Sequence, residues 1–258
     1  MTFILYFLTG VAAGIIGGLL GTGGCALIMP VVRFGFNFDP AFAVGTTLFA
    51  VVFTAGAGAY KHLKMGNVDR QTAFYVGISG IFGVIIGSLV FGYLMSYGKV
   101  IDLILGLAFI IVSIRMVYEG LFLRGKRELL DSQIPGKKTN QGILGACTGV
   151  LTGIIGLGGG YALVPSFIYF FRAPTKIAIG TSMASFIWIA LLGAIFKLFQ
   201  GVVNIQAGII LGIGAMIGAV YGAGLVARLQ SATLKILFGI LFFYVSLKYI
   251  LIYFGIRI

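Results

Sequence analysis

Charge is what this sequence has least of. Asp, Glu, Lys and Arg make up 9% of its 258 residues, and only six of them are acidic. A soluble domain of this size carries about 25% charged residues, because its surface must face water. A water-covered globule is therefore excluded. Histidine is represented once, by His62, and cysteine twice, by Cys25 and Cys147. Both cysteines sit among glycines in apolar stretches and read as small buried packing residues, with nothing to support a disulfide or a metal pair. An intramembrane enzyme would need a nucleophile with its base, or a metal cluster, and this inventory supplies neither. No catalytic residue, metal or cofactor is expected.

What fills the space is apolar sequence: 60% of the residues are hydrophobic and the mean hydropathy is +1.12. Ala41–Tyr60, Thr72–Gly98, Gln141–Phe171 and Ile177–Phe196 contain no charged residue. About 20 such residues cross a hydrocarbon core of about 30 Å, so the fold class is an all-α polytopic membrane protein. The formal charge of +12 fits Lys and Arg collected in cytoplasmic loops. They are too scattered to track a phosphate backbone, which leaves no nucleic acid as partner. Residues 1–20 lack a basic leader and a good cleavage signal, and read as retained structure.

The glycines repeat. At an offset of 135, Gly10, Gly14, Gly18, Gly21, Gly23, Gly24 and Pro30 meet Gly145, Gly149, Gly153, Gly156, Gly158, Gly159 and Pro165. Gly45–Thr46 meets Gly180–Thr181, and Gly66 meets Gly201. An internal duplication is the reading. Repeat 1 is residues 1–122, a basic linker follows at 123–140, and repeat 2 is residues 141–258. Each repeat holds four apolar segments: 2–34, 40–61, 71–96 and 100–122, then 141–171, 174–199, 205–227 and 232–254. The linker carries five basic residues and is expected in the cytoplasm.

The first segment of each repeat is too long for one span. Residues 141–171 would run about 46 Å as a straight helix. In the middle stand Gly156-Leu157-Gly158-Gly159-Gly160 and, in repeat 1, Gly21-Thr22-Gly23-Gly24-Cys25. Each glycine costs a helix about 1 kcal/mol against alanine, so an unwound break with left-handed backbone is expected at positions such as Gly24 and Gly159. Pro30 and Pro165 would then fall in the first turn of a restarted helix. Unwound backbone at membrane depth must be buried or line a cavity, and paired breaks in two repeats point to a transporter site. The bland alternative is helix packing through small residues, which suits Gly10, Gly14 and Gly18 better than the dense runs. If each long segment is a re-entrant hairpin, the repeats are inverted; if each is a kinked span, they are parallel. The excess length favours the hairpin, while loop charges differ by only one between the two topologies.

A restarted helix offers backbone N–H groups and its positive dipole end to an anion. The candidate substrate-binding residues are therefore Gly23, Gly24 and Cys25 with Gly158, Gly159 and Gly160, plus the hydroxyl of Thr22. Thr46, Thr47, Thr181 and Ser182 lie about 10 Å into the second segments, where a hydroxyl either meets an oxyanion or bonds back to its own helix. Lys61, His62 and Lys197 end the second segments and are candidates for an anion-recruiting vestibule, against ordinary snorkelling of Lys. Arg115 and Glu119, four apart, are expected to pair. Asp39 and Asp69 read as helix-end residues.

Three pairs of strings carry a family resemblance. They are GIIGGLLGTGGCALIMP with GVLTGIIGLGGGYALVP, AVGTTLFA with AIGTSMAS, and KHLKMGNVD with FKLFQGVVN. Together they resemble the sulfite exporter TauE/SafE family over essentially the whole chain. The resemblance implies a permease of a prokaryotic inner membrane that handles sulfite, sulfonates or related organic anions. The expected partners are then a small anionic substrate and the lipid bilayer. A coupling ion (proton or sodium) and a homodimer stay open, as does an anion channel or a permease for an unrelated small solute.

Overall fold

The computed structural model describes residues 2–122, 133–157, 159–225 and 231–255. Among these residues, ten α-helices run in chain order: α1 Thr2–Leu20, α2 Cys25–Pro30, α3 Pro40–Lys64, α4 Arg70–Leu94, α5 Gly98–Phe122, α6 Lys138–Ile155, α7 Gly160–Tyr169, α8 Thr175–Phe199, α9 Ile205–Leu225 and α10 Ser231–Tyr253. A π-helical turn, Val31–Gly35, continues α2. No strand occurs among the described residues. Among the described residues, six helices, α1, α3, α4, α5, α8 and α9, are long and apolar enough to cross a membrane. The chain forms two compact units, one of residues 1–92 with 128–226 and the other of residues 93–127 with 227–258.

In the larger unit glycine decides which helices touch. A Cβ at Gly10, Gly14 or Gly18 of α1 would run into backbone of Leu211, Ala215 or Ala219 on α9. The glycines facing them, Gly214, Gly218 and Gly222, lie on carbonyls of Phe7, Val11 and Ile15. The same contact joins α6 to α4, where Gly149 lies on the carbonyl of Gly80 and Gly83 on that of Ala146. Small residues at this spacing let backbones approach and gain dispersion contacts that lipid cannot replace. Alanine is enough to break the fit.

Both long first segments turn back on themselves. The Tyr6 ring, near the start of α1, packs edge-on against Phe36, just past the π turn, with centroids 4.5 Å apart. In the second half, a Cβ at Gly136, ahead of α6, would strike the ring of Phe171, just past α7. Each segment is thus a helical hairpin and not a kinked span. Pro30 and Pro165 are the sixth residues of α2 and α7, beyond the first turn where they were expected. Each therefore removes one helical hydrogen bond, and α2 gives way to the π turn directly after Pro30.

The turns are tied across the halves. Asp69, ahead of α4, accepts from the N–H groups of Gln71 and Thr72 on Oδ1 and from Ile134 N–H and the Thr72 hydroxyl on Oδ2. It caps α4 and holds the end of the linker. Asp39 precedes α3 without a side-chain cap. Cys147 corrects one expectation, because it is exposed on α6 while Cys25 is buried, and the two form no disulfide. Most of the linker, 123–132, lies outside the described residues, as does the side chain of Glu119 and with it the expected Arg115 pair.

The smaller unit is α5 against α10. Phe109 stacks on Tyr249 with centroids 5.8 Å apart. Ser113 donates to the carbonyl of Gly239 at 2.6 Å, and Ser246 to that of Gly106 at 2.8 Å. A serine bonded to a carbonyl on the facing helix satisfies its hydroxyl where water is absent.

Candidate substrate-binding site

The first break follows from three left-handed glycines. Gly21, Gly23 and Gly24 have φ of 71°, 72° and 77°, a region closed to residues with a Cβ except at a cost. The chain leaves α1 with Thr22 N–H on the Gly17 carbonyl, 3.1 Å, and α2 starts with Leu27 and Ile28 N–H on the Gly24 carbonyl. The second break opens with Gly156 at φ 64°. Its N–H reaches the Thr152 carbonyl at 2.8 Å. Gly159, however, has φ −54° and ψ −18°. The left-handed backbone expected there is absent: Gly159 is the right-handed residue immediately before α7. Gly158 lies outside the described residues.

The two breaks meet. A Cβ at Gly160 would strike the carbonyl of Gly21 and the Cα of Thr22. Each break also rests on the second segment of the other half: Gly21 against Ile179 and Gly156 against Val44. Ser182 donates to the Gly21 carbonyl at 3.2 Å, and Thr47 points at the Met29 sulfur, 3.8 Å away. The Cys25 thiol donates to the Thr22 carbonyl at 3.1 Å. Thr22, Gly23, Gly24, Cys25, Thr47, Gly159, Gly160 and Ser182 therefore share one buried centre.

Thr46 and Thr181 do something else. Both are fully buried, and each accepts a backbone N–H from a turn of the other half, Asn204 to Thr46 and Asp69 to Thr181. Their oxygens brace turns, and only the hydroxyl hydrogens are left to donate elsewhere.

Three further residues belong to the centre and were not singled out in the sequence. Tyr161 places its hydroxyl beside Thr22, Cys25 and the backbone of Ala26. Phe186 faces both breaks, with ring atoms 3.5 Å from a Cβ placed at Gly23 and 3.0 Å from one at Gly159. Val51 lies 2.9 Å from the Gly23 position. Val51 and Phe186 are separated by the repeat offset itself, which is the one signal that could have drawn them out.

The basic residues divide. Lys61 is half-buried. Lys197 does not snorkel: it is fully buried, its Nζ donates to the Gly153 carbonyl at 2.8 Å and stands 3.3 Å from the centre of the Phe91 ring. Gly153 is in the last turn of α6, where carbonyls lack helical partners and the dipole is negative. A ring face and a helix C-terminus both favour a cation there. His62, 135 residues before Lys197, faces the carbonyl of Gly18 in the last turn of α1. Its ring nitrogens have no hydrogen-bond partner of good geometry.

Residues 6–249 match the sulfite exporter TauE/SafE family. The chain belongs to that family. It is 26% identical to the probable membrane transporter protein YunE of Bacillus subtilis, with 99% of both chains covered. A probable membrane transporter protein of Xylella fastidiosa is 29% identical over 86% of this chain and 85% of its own. Another, MJ0441 of Methanocaldococcus jannaschii, is 28% identical over 69% of this chain and 66% of its own. No solved structure matches the chain. Family and helices together make this TauE/SafE protein a multi-pass membrane transporter and not an enzyme.

Proposed function

We propose that this protein is a secondary-type transporter of a small sulfur-containing or organic anion, of the sulfite or sulfonate class, in a prokaryotic inner membrane. The reading rests on one observation above all, the meeting of two backbone breaks, Gly160 on Gly21 and Thr22. Backbone unwound at membrane depth and buried in protein is where transporters hold small ions. The backbone of Gly23, Gly24, Cys25, Gly158, Gly159 and Gly160, with the hydroxyls of Thr22, Thr46, Thr47, Thr181 and Ser182, would hold the anion's oxygens. Lys61, His62 and Lys197 would supply positive potential at the ends of the second segments.

The hairpins bear on topology. A hairpin returns the chain to the side it came from, so each half crosses three times, through α3, α4 and α5 and then through α8, α9 and α10. An odd number of crossings inverts the second half. The reciprocal pairs Thr46 with Asn204 and Thr181 with Asp69 fit two inverted repeats, with the linker 123–140 in the cytoplasm.

Purified protein in liposomes tests the reading with sulfite. Saturable sulfite counterflow is the expected result. Flux that never saturates would mean an anion channel, and no sulfite flux would remove sulfite as substrate.

A further inference from the structure

We propose that His62 is a proton-binding site, at which a proton taken up from water closes a hydrogen bond to the Gly18 carbonyl and thereby sets the state of the first break. The proton adds to the unprotonated ring nitrogen, no other bond breaks, and the ring becomes a cation with two N–H donors. His62 is fully buried and both its nitrogens lack a partner. A buried polar group left that way costs free energy. The ring faces the carbonyl of Gly18, in the last turn of α1, where a cation is favoured over a neutral group.

The other half of the molecule holds the finished version of this contact. Lys197, the repeat counterpart of His62, donates to the carbonyl of Gly153, and Gly153 is the repeat counterpart of Gly18. Lysine always carries an N–H donor for that contact, whereas histidine gains and loses its second N–H donor, with its charge, near neutral pH. One half thus carries a fixed donor at the end of its first helix, and the other a switchable one.

His62 is placed to pass the change on. Gly18 is three residues from Gly21, where the break begins. The His62 carbonyl accepts from Asn67 N–H at 3.0 Å, in the turn that leads to Asp69. A Cβ at Gly180, beside Thr181, would lie 3.0 Å from the Cβ of His62. The ring thus stands between the end of α1 and the start of α8.

The charged groups around it are few. Helices α1, α2 and α9, which pack on α3, carry no Asp, Glu, Lys or Arg. Tyr6 and Tyr221 are the tyrosines of α1 and α9. On α8 stand Lys176, exposed in the first turn, and Lys197, about 25 Å beyond Gly180. Lys61 is half-buried, and Lys64 is exposed over the Tyr60 ring. Arg70 is exposed at the start of α4. Arg33 and Asp39 belong to the far end of α3, Arg33 bonded to the Phe38 carbonyl. Asp69, in the adjoining turn, has both carboxylate oxygens engaged.

The consequence for transport rests on the break being the substrate site, but the test needs no substrate. Since His62 is the chain's one histidine, histidine labelled with carbon-13 in the ring reports it alone in the wild-type protein. The resonance is expected to follow bulk pH between about 5 and 8. A resonance that stays fixed over that range overturns the proposal. In a Cys147→Ser background, Cys25 is fully buried in the break, so its alkylation by N-ethylmaleimide reads opening of the break, and the rate is divided by that of the same protein with His62→Gln. The quotient is expected near one at high pH and lower by about tenfold at low pH, as a charge-assisted bond forms. His62→Lys should react slowly at both. A quotient independent of pH likewise overturns the proposal. Missing sulfite counterflow, by contrast, would count against the transport reading alone.

Discussion

The backbone N–H of Asp69 donates to the Thr181 hydroxyl oxygen at 2.9 Å, from one half of the chain to the other. At the same offset of 135 in the sequence, Asn204 N–H donates to the Thr46 hydroxyl oxygen at 3.0 Å. Each turn is closed by a threonine of the other half, so neither half completes its own turns.

Thr181→Val keeps the shape of the side chain and removes the acceptor. Asp69 N–H is then buried without a partner, and the expected loss is about 1–3 kcal/mol. Thr46→Val should cost a similar amount through Asn204. The two sites share no hydrogen-bond partner, so the double variant should lose the sum within about 0.5 kcal/mol. Thermal or denaturant unfolding in detergent measures all three. A double variant no less stable than either single one would show that the two turns are not braced independently.

Lys197→Met removes the bond to the Gly153 carbonyl and the amine above Phe91. The expected cost is about 0.5–1.5 kcal/mol, and Lys197→Gln should recover part of it, since the amide can still donate. A recruiting lysine in an open vestibule would lose influence at high salt. Buried as it is, Lys197 lies outside the ionic atmosphere that screens surface charge. Sulfite uptake by Lys197→Gln should therefore change by the same factor at low and high ionic strength. A larger defect at low salt would return Lys197 to an exposed vestibule.

How much of this could be read beforehand depended on what each feature asks of the residue type. The close packing of α1 on α9 and of α6 on α4 needs glycine at every fourth position, so it left a periodic mark. The breaks were legible for the same reason. Directions were not. Hydropathy places Lys197 near a helix end but does not say that it points inward to Gly153. A threonine at the depth of Thr181 signals a hydroxyl, not that a turn amide claims its oxygen. Tyr161 and Phe186 are two among 12 tyrosines and 23 phenylalanines, and nothing local marks them. Gly24 and Gly159 correspond in sequence and each immediately precedes its helix, yet one is left-handed and the other right-handed, a difference that no residue type marks.

The hairpin topology makes a labelling prediction. In a Cys147→Ser background, a cysteine at Asp39 should react with an impermeant maleimide applied outside intact cells. One at Lys176 should react only in inside-out vesicles. Both positions are exposed, and inverted halves would put the two on opposite sides. Labelling of both from the same side would restore parallel repeats.

The structure makes two glycines of the breaks unequal. Gly24 has φ 77°, and a Cβ there would run into the Ala13 carbonyl. Gly24→Ala should cost about 1–2 kcal/mol from the left-handed backbone alone, with a steric cost against rigid α1 backbone added. Gly159→Ala is different. Its backbone is right-handed, and the new methyl would meet side chains, Phe186 at 3.0 Å and Leu163 at 3.3 Å, which can give by a few tenths of an ångström. Gly159→Ala is therefore expected to fold with a stability change within about 1 kcal/mol. If the anion lies between the breaks under Phe186, the same methyl narrows its site, and sulfite affinity per folded molecule should fall. The measurement is paired: thermal stability of the unliganded protein, and sulfite affinity of the folded fraction. A folded Gly159→Ala protein with unchanged affinity would make the glycine a packing residue. If the folded fraction of Gly24→Ala also bound sulfite normally, the anion would not be held by the breaks at all.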